Sequence, residues 1–198
     1  CLPIVILSCL VFVANVIELN ISKLNIANLI SLVFYCISIG LFEEIFFRGL
    51  IEEELLSKLS SNKKEVIISI ILSGVIFGAI HFTNLLMGQD LLTTLMQFIQ
   101  TMSIGILFGT VYYFTKNIWA LAFLHGFYDF SVLLSEVNIV TGCGYVENVP
   151  LIITISSLVA SIILSGIYLI YSLIIFKKEN NEDSKKYHKF IYMLIIIY

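Results

Sequence analysis

The sequence predicts an all-α protein, a polytopic transmembrane bundle of about six membrane-spanning helices with one interfacial amphipathic helix. Three observations predict it. Hydrophobic residues make up 59% of the 198 and charged ones only 13%, whereas a soluble domain is about a quarter charged and under half apolar. The 11 basic and 14 acidic side chains are bunched, seven of them within 52–65 and eight within 177–189. The stretches left between approach or exceed the roughly 20 apolar residues that cross ~30 Å of hydrocarbon as a helix. A net charge of -3 offers no electropositive face to a phosphate backbone, which excludes nucleic acid as a partner and leaves the lipid bilayer.

Taken in order, residues 2–17 form a short first span, with Pro3 where a helix begins. The opening Cys1 in place of Met is expected to mark a truncated N-terminus. Residues 24–42 carry no Asp, Glu, Lys or Arg and make the second span. Glu52, Glu53 and Glu54 then stand beside Leu50, Ile51, Leu55, Leu56 and Leu59. That pattern is an acidic face next to an apolar one, expected as an interfacial or cytoplasmic helix with its glutamates in water. Residues 66–89 and 91–115 are charge-free third and fourth spans, 118–134 is a fifth containing His125 and Asp129, and 148–176 is a sixth that opens near Pro150. The segment 177–189 is polar, and 190–198 is too short to cross again at ~1.5 Å per residue. No internal repeat is visible, so residues 1–198 are expected to form a single integral membrane domain.

Orientation follows from the basic residues, which are retained on the cytoplasmic side. Lys58, Lys63 and Lys64 follow the second span, Lys116 the fourth, and Lys177, Lys178, Lys185, Lys186 and Lys189 the sixth. The alternate connections hold only Lys23. Both termini are therefore expected to be cytoplasmic. Cys1, Cys9, Cys36 and Cys143 show no metal-ligand or redox spacing and are read as small hydrophobes. Phe46, Phe47, Phe127 and Tyr128 are read as packing or lipid-facing side chains.

Polar groups placed inside the apolar segments carry the functional signal, because each costs several kcal/mol at membrane depth. They are Glu43, Glu44 and Arg48 in FEEIFFRG, His81 in FGAIHFTN, and His125 and Asp129 in LHGFYDF. Glu44 and Arg48 are four apart and can neutralise each other on one helical face. Glu43 points about 100° aside and is free for another task. Phe77, His81 and Asn84 share a face at i, i+4 and i+7, as do His125 and Asp129 at i, i+4. A base for water, a polariser for a carbonyl and donors for an oxyanion can all be drawn from this set, which is what amide hydrolysis needs. Alone, Glu44 and Arg48 read equally well as a structural ion pair, and His81 alone as a packing residue. One geometric tension stands out. On a straight helix entering at Val66, His81 lies ~10 Å nearer the far side than Glu43 and His125, so the faces meet only if that helix protrudes or tilts.

In order, these motifs read EExxxR (Glu43, Glu44, Arg48), FxxxH (Phe77, His81) and HxxxD (His125, Asp129). On successive membrane helices they resemble the CPBP family of intramembrane proteases, the CAAX prenyl endopeptidases and bacteriocin-processing enzymes also called the Abi family. The resemblance covers about 41–131. It implies an endopeptidase acting at or within the membrane, in a bacterial plasma membrane, on a CAAX-type prenyl-protein or a bacteriocin or leader peptide. It assigns water activation to Glu43 with His81, support to Glu44 and Arg48, and the second pole of the site to His125 with Asp129. Phe77 and Asn84, on the His81 face, are assigned to the substrate. Two chemistries stay open: His81, His125 and Asp129 ligate Zn²⁺ in a metalloprotease, or Glu43 and His81 activate water directly. The family often has Asn where this chain has Asp129, and an ionised Asp cannot donate to an oxyanion. A transporter relaying protons through the same groups, and a non-catalytic bacteriocin-immunity protein of the family, are the alternatives.

Overall fold

The computed structural model describes residues 1–19, 24–137 and 151–179. All the described secondary structure is helical, as expected of a membrane bundle. Four helices are long and apolar enough to cross a bilayer, Ile26–Lys58, Lys63–Met87, Leu91–Thr115 and Ile155–Lys178. Leu2–Glu18 and Ile118–Leu133 are shorter apolar helices. The protein is an integral membrane protein. Cys143, Pro150, residues 180–189 of the polar segment and the tail 190–198 lie outside the described residues, and Cys1, Cys9 and Cys36 are free thiols.

Local chemistry explains where the helices start. Helix α1 (Leu2–Glu18) carries Pro3 in its first turn, where the missing N–H costs nothing. Asn25 accepts from the Ala27 and Asn28 amides to begin α2 (Ile26–Glu44). Beyond Glu44 the chain does not leave the helix. A π-helical stretch, Ile45–Glu52, joins α2 to α3 (Glu53–Lys58). The separate interfacial helix expected at 50–59 is therefore the end of the second span. Asn62 accepts from the Lys64 and Glu65 amides to cap α4 (Lys63–Ala79), and Glu65 accepts from the Ser61 amide just before the cap. A 3₁₀ stretch, Ile80–Met87, continues α4 and ends on Gly88 at φ 93°, a left-handed position that favours glycine. Asp90 caps α5 (Leu91–Thr115) and Asn117 caps α6 (Ile118–Leu133). Helix α7 (Leu151–Glu179) ends with Lys177 and Lys178, cations suited to a helix C-terminus.

The bundle packs α2 on α6, α4 on α5, and α5 on α7, with α1 against α6. Association in lipid relies on close backbone approach more than on burial of apolar area, and small residues permit it. A Cβ on Gly126 would lie 2.8 Å from the Cys36 carbonyl oxygen of α2. A Cβ on Gly74 would lie 2.9 Å from the Ile106 amide of α5.

The buried positions of the Ile26–Lys58 helix fall on Cys36, Gly40, Glu44, Phe47, Arg48, Glu52 and Leu56, and all of them except Phe47 keep a spacing of four. In a regular α-helix each step of four overshoots a turn by roughly 40°, so five steps drift to the far side. The wider i→i+5 turns of Ile45–Glu52 take that drift back and keep the row facing inward. Such π segments recur at functional sites. This placement corrects the reading of Glu52, expected on a solvated acidic face: it is fully buried, while Glu53 pairs with Lys116 at 2.5 Å and Glu54 with Lys58 at 2.6 Å.

Expected outcome: Gly126→Val forces α6 off α2 and lowers stability by about 1–3 kcal/mol. Gly166→Ala, whose Cβ meets nothing within 4 Å, keeps stability at or slightly above wild type, since alanine is the better helix former. Thermal unfolding of the two variants in detergent checks the contrast.

Candidate active site

The register between helices brings the polar residues together. Ser73 Oγ donates to the Phe47 carbonyl at 3.4 Å, and the Phe47 and Phe77 rings meet edge-on at 4.9 Å. Arg48 is thereby level with Phe77, its Cζ 4.7 Å from that ring centre and 5.6 Å from that of Phe108. One turn further along each antiparallel helix stand Glu43 and Glu44 on one side and His81 on the other. The depth mismatch expected for His81 is removed by this register. The hairpin of α3 and the first turns of α4 runs on past the level at which Lys116 pairs with Glu53.

Glu44 and Arg48 are fully buried. Arg48 Nη1 lies 3.1 Å from Glu44 Oε1, and Arg48 Nη2 donates to the Gly105 carbonyl at 3.3 Å. The same Oε1 accepts from His125 Nδ1 at 2.8 Å. That bond fixes the imidazole: Nδ1 carries a proton toward Glu44, and Nε2 is the atom His125 offers to the other side. His125 Nε2 is 3.5 Å from Glu43 Oε2 and 3.8 Å from Asp129 Oδ2. His125 is also walled by the edges of Phe77 and Phe108, at 5.9 and 5.8 Å between ring centres. His81 Nδ1 donates to the Phe77 carbonyl at 3.1 Å, because a carbonyl only accepts, so its Nε2 keeps a lone pair.

A cavity of about 470 Å³ is lined by Glu43, His81, His125 and Asp129 together with Phe77 and Asn84. These residues come from three separate helices. Glu44 and Arg48 do not line it; they lie behind His125 and hold it. The structure thus brings the six acid–base residues into one constellation and divides them into four that face the cavity and two that support. Phe77 is largely buried and acts as a stacking wall between Arg48 and both histidines.

Sequence reasoning missed the opposite wall. Gln97, Gln100 and Thr101 of α5 line the cavity, spaced i, i+3 and i+4 on one face. Asn84 and Gln89 both donate to Gln97 Oε1, at 2.8 and 3.0 Å, and Gln100 donates to the Tyr128 hydroxyl at 3.3 Å. Tyr128, read as packing, also lines the cavity. Carboxamides inside an apolar span were the available signal. Glu52 was missed as well, and its place in the four-residue row was the signal there.

The expected metal trio His81, His125 and Asp129 shares the cavity. Among the described residues, however, no group of three or more His, Cys, Asp and Glu side chains is placed to hold a metal ion. The two imidazoles do not decide between the chemistries: His125 Nδ1 is committed to Glu44 and His81 Nδ1 to the backbone, which leaves Nε2 of each to face either a water or a metal.

A family model described as Type II CAAX prenyl endopeptidase Rce1-like matches residues 25–131, 107 of the 198. All eight expected site residues fall inside it. No curated protein and no solved structure matches the chain.

Expected outcome: Arg48→Met strands the buried Glu44 carboxylate and destabilises by about 3–5 kcal/mol. Adding Glu44→Gln recovers part of that loss. A double-mutant cycle on thermal unfolding checks it, and additive losses contradict the pairing.

Proposed function

The chain belongs to the Type II CAAX prenyl endopeptidase Rce1-like family, and from that premise we propose that it hydrolyses a peptide bond of a membrane-associated protein or peptide without a metal. The substrate is a CAAX-type prenyl-protein or a bacteriocin or leader peptide. The observation that carries this reading is the convergence of Glu43, His81, His125 and Asp129 from three helices on one cavity.

A water in the cavity gives one hydrogen to Glu43 and the other to the free Nε2 of His81, which turns an oxygen lone pair toward the scissile carbonyl carbon. As the C–O bond forms, the proton passes to Glu43. Negative charge gathers on the carbonyl oxygen, and His125 Nε2–H with protonated Asp129 donates to it. Collapse of the tetrahedral species breaks the C–N bond, and Glu43 returns the proton to the departing amine. Glu44 and Arg48 touch no reacting atom and position His125. What supports the metal-free scheme over the zinc scheme is that, among the described residues, no three His, Cys, Asp or Glu side chains are placed to hold a metal ion together. With the Lys-rich connections cytoplasmic, both termini face that side.

Expected outcome: the purified protein in detergent cleaves a cognate peptide, read by mass spectrometry, and a strong chelator leaves the rate unchanged. Glu43→Gln and His81→Ala lower the rate by at least about 100-fold with unaltered melting. Full activity in both variants overturns the assignment, and loss of activity with chelator assigns the site to a metal.

A further inference from the structure

Glu52 is buried to 0% exposure inside a transmembrane helix. Neither of its carboxylate oxygens has a hydrogen-bond partner among the described residues. A buried carboxylate of this kind costs several kcal/mol, and nothing in the hydrolytic step uses it. Three observations indicate what it serves. Glu44, Arg48 and Glu52 stand at successive steps of the inward row. They face a matching pair on α5, since Arg48 donates to the Gly105 carbonyl and Glu52 occupies the space that a Cβ on Gly109 would fill. Arg48 also leaves both its Nε and its Nη1 without a hydrogen bond among the described residues.

The charges around Glu44 give a second anion on the far side of Arg48 a use. Glu44 Oε1 accepts from His125 Nδ1 at 2.8 Å and lies 3.1 Å from Arg48 Nη1 in an ion pair, while Glu44 Oε2 has no hydrogen-bond partner among the described residues. When His125 donates from Nε2 to an oxyanion it is a cation: its Nε2 side meets that oxyanion and Glu43 at 3.5 Å, and its Nδ1 side holds Glu44, which also faces Arg48. In a low-dielectric interior a carboxylate between two cations is divided between them, and an anion beyond Arg48 lessens the pull of Arg48 on it. We propose that Glu52 is a positioning residue: as the second carboxylate facing Arg48, it completes a buried row His125, Glu44, Arg48, Glu52 of alternating charge and leaves Glu44 Oε1 available to hold His125. Without it, Arg48 draws Glu44 to itself and His125 loses its orientation. This inference rests on the hydrolytic reading of the cavity for its consequence in rate, though the row itself exists without substrate.

Glu52→Gln tests it, because glutamine preserves size and polar character and removes only the charge. Expected is unaltered melting and KM with kcat lower by about 10- to 100-fold, the range that a displaced catalytic group costs, and recovery in Glu52→Asp. A purely structural role leaves kcat of Glu52→Gln at the wild-type value, which overturns the proposal. A second measurement needs no activity. The chain has 3 histidines, so ¹⁵N-histidine labelling with His81→Gln and His125→Gln as assignment controls isolates the His125 ring signals in detergent. In Glu52→Gln the His125 Nδ1–H resonance shifts toward that of a weaker hydrogen bond; an unmoved resonance overturns the proposal even if the protein cleaves nothing. A wild-type protein that cleaves no peptide while that resonance moves overturns the hydrolytic reading alone.

Discussion

A guanidinium held at zero exposure inside an apolar bundle is the constraint around which the other features arrange themselves. Bilayer and core offer no water, so each face of Arg48 must meet a partner in the protein. It meets the Glu44 carboxylate, the Gly105 carbonyl, and the faces of Phe77 and Phe108. Those contacts join three helices through one side chain: its own, α4 through Phe77, and α5 through Gly105 and Phe108. Glu44 then extends the arrangement to α6 by accepting from His125. The glycines that let the helices approach and the π turns that keep the row of four facing inward both serve to deliver these groups to one another. Buried ion pairs are weak sources of net stability because desolvation offsets their attraction. Their retention here is better explained by what they orient than by what they stabilise.

The fold was legible in the sequence because hydropathy and charge clustering are properties of local composition. Six apolar helices follow from them, and the caps at Asn25, Asn62, Asp90 and Asn117 follow from residue type. The motif residues were legible because ionisable groups at membrane depth need a reason. Glu52 was not, since three consecutive glutamates read as one solvated face. Separating the inward one requires the helix to keep a period of four, and no single residue announces a π turn. The level of His81 was likewise set by tertiary register, the packing of Phe47 on Phe77, and counting residues from the nearest lysine cannot supply that. Gln97 and Gln100 were passed over because they carry no charge, although a carboxamide within a span also demands a partner.

The proposed mechanism divides the labour. In it, the groups that line the cavity, Glu43, His81, His125 and Asp129, exchange protons with water and bond the developing oxyanion. Groups behind them, Glu44 and Arg48, remain fixed in charge and geometry. Preorganised donors act most strongly where water is excluded, and the apolar surroundings of this site supply that exclusion at no further expense of structure. Gln97 and Gln100 line the same cavity as the acid–base residues. Side chains of that kind can satisfy the main chain of an extended peptide that lipid would leave unpaired.

The most direct test of the proposed site is an experimental structure with a difluoroketone peptide, whose hydrated carbonyl mimics the tetrahedral species. The geometry predicts one hydroxyl within hydrogen-bond distance of Glu43 Oε2 and His81 Nε2, and the other within reach of His125 Nε2. A gem-diol bound away from these atoms, or held on a metal ion between the two histidines, would contradict it.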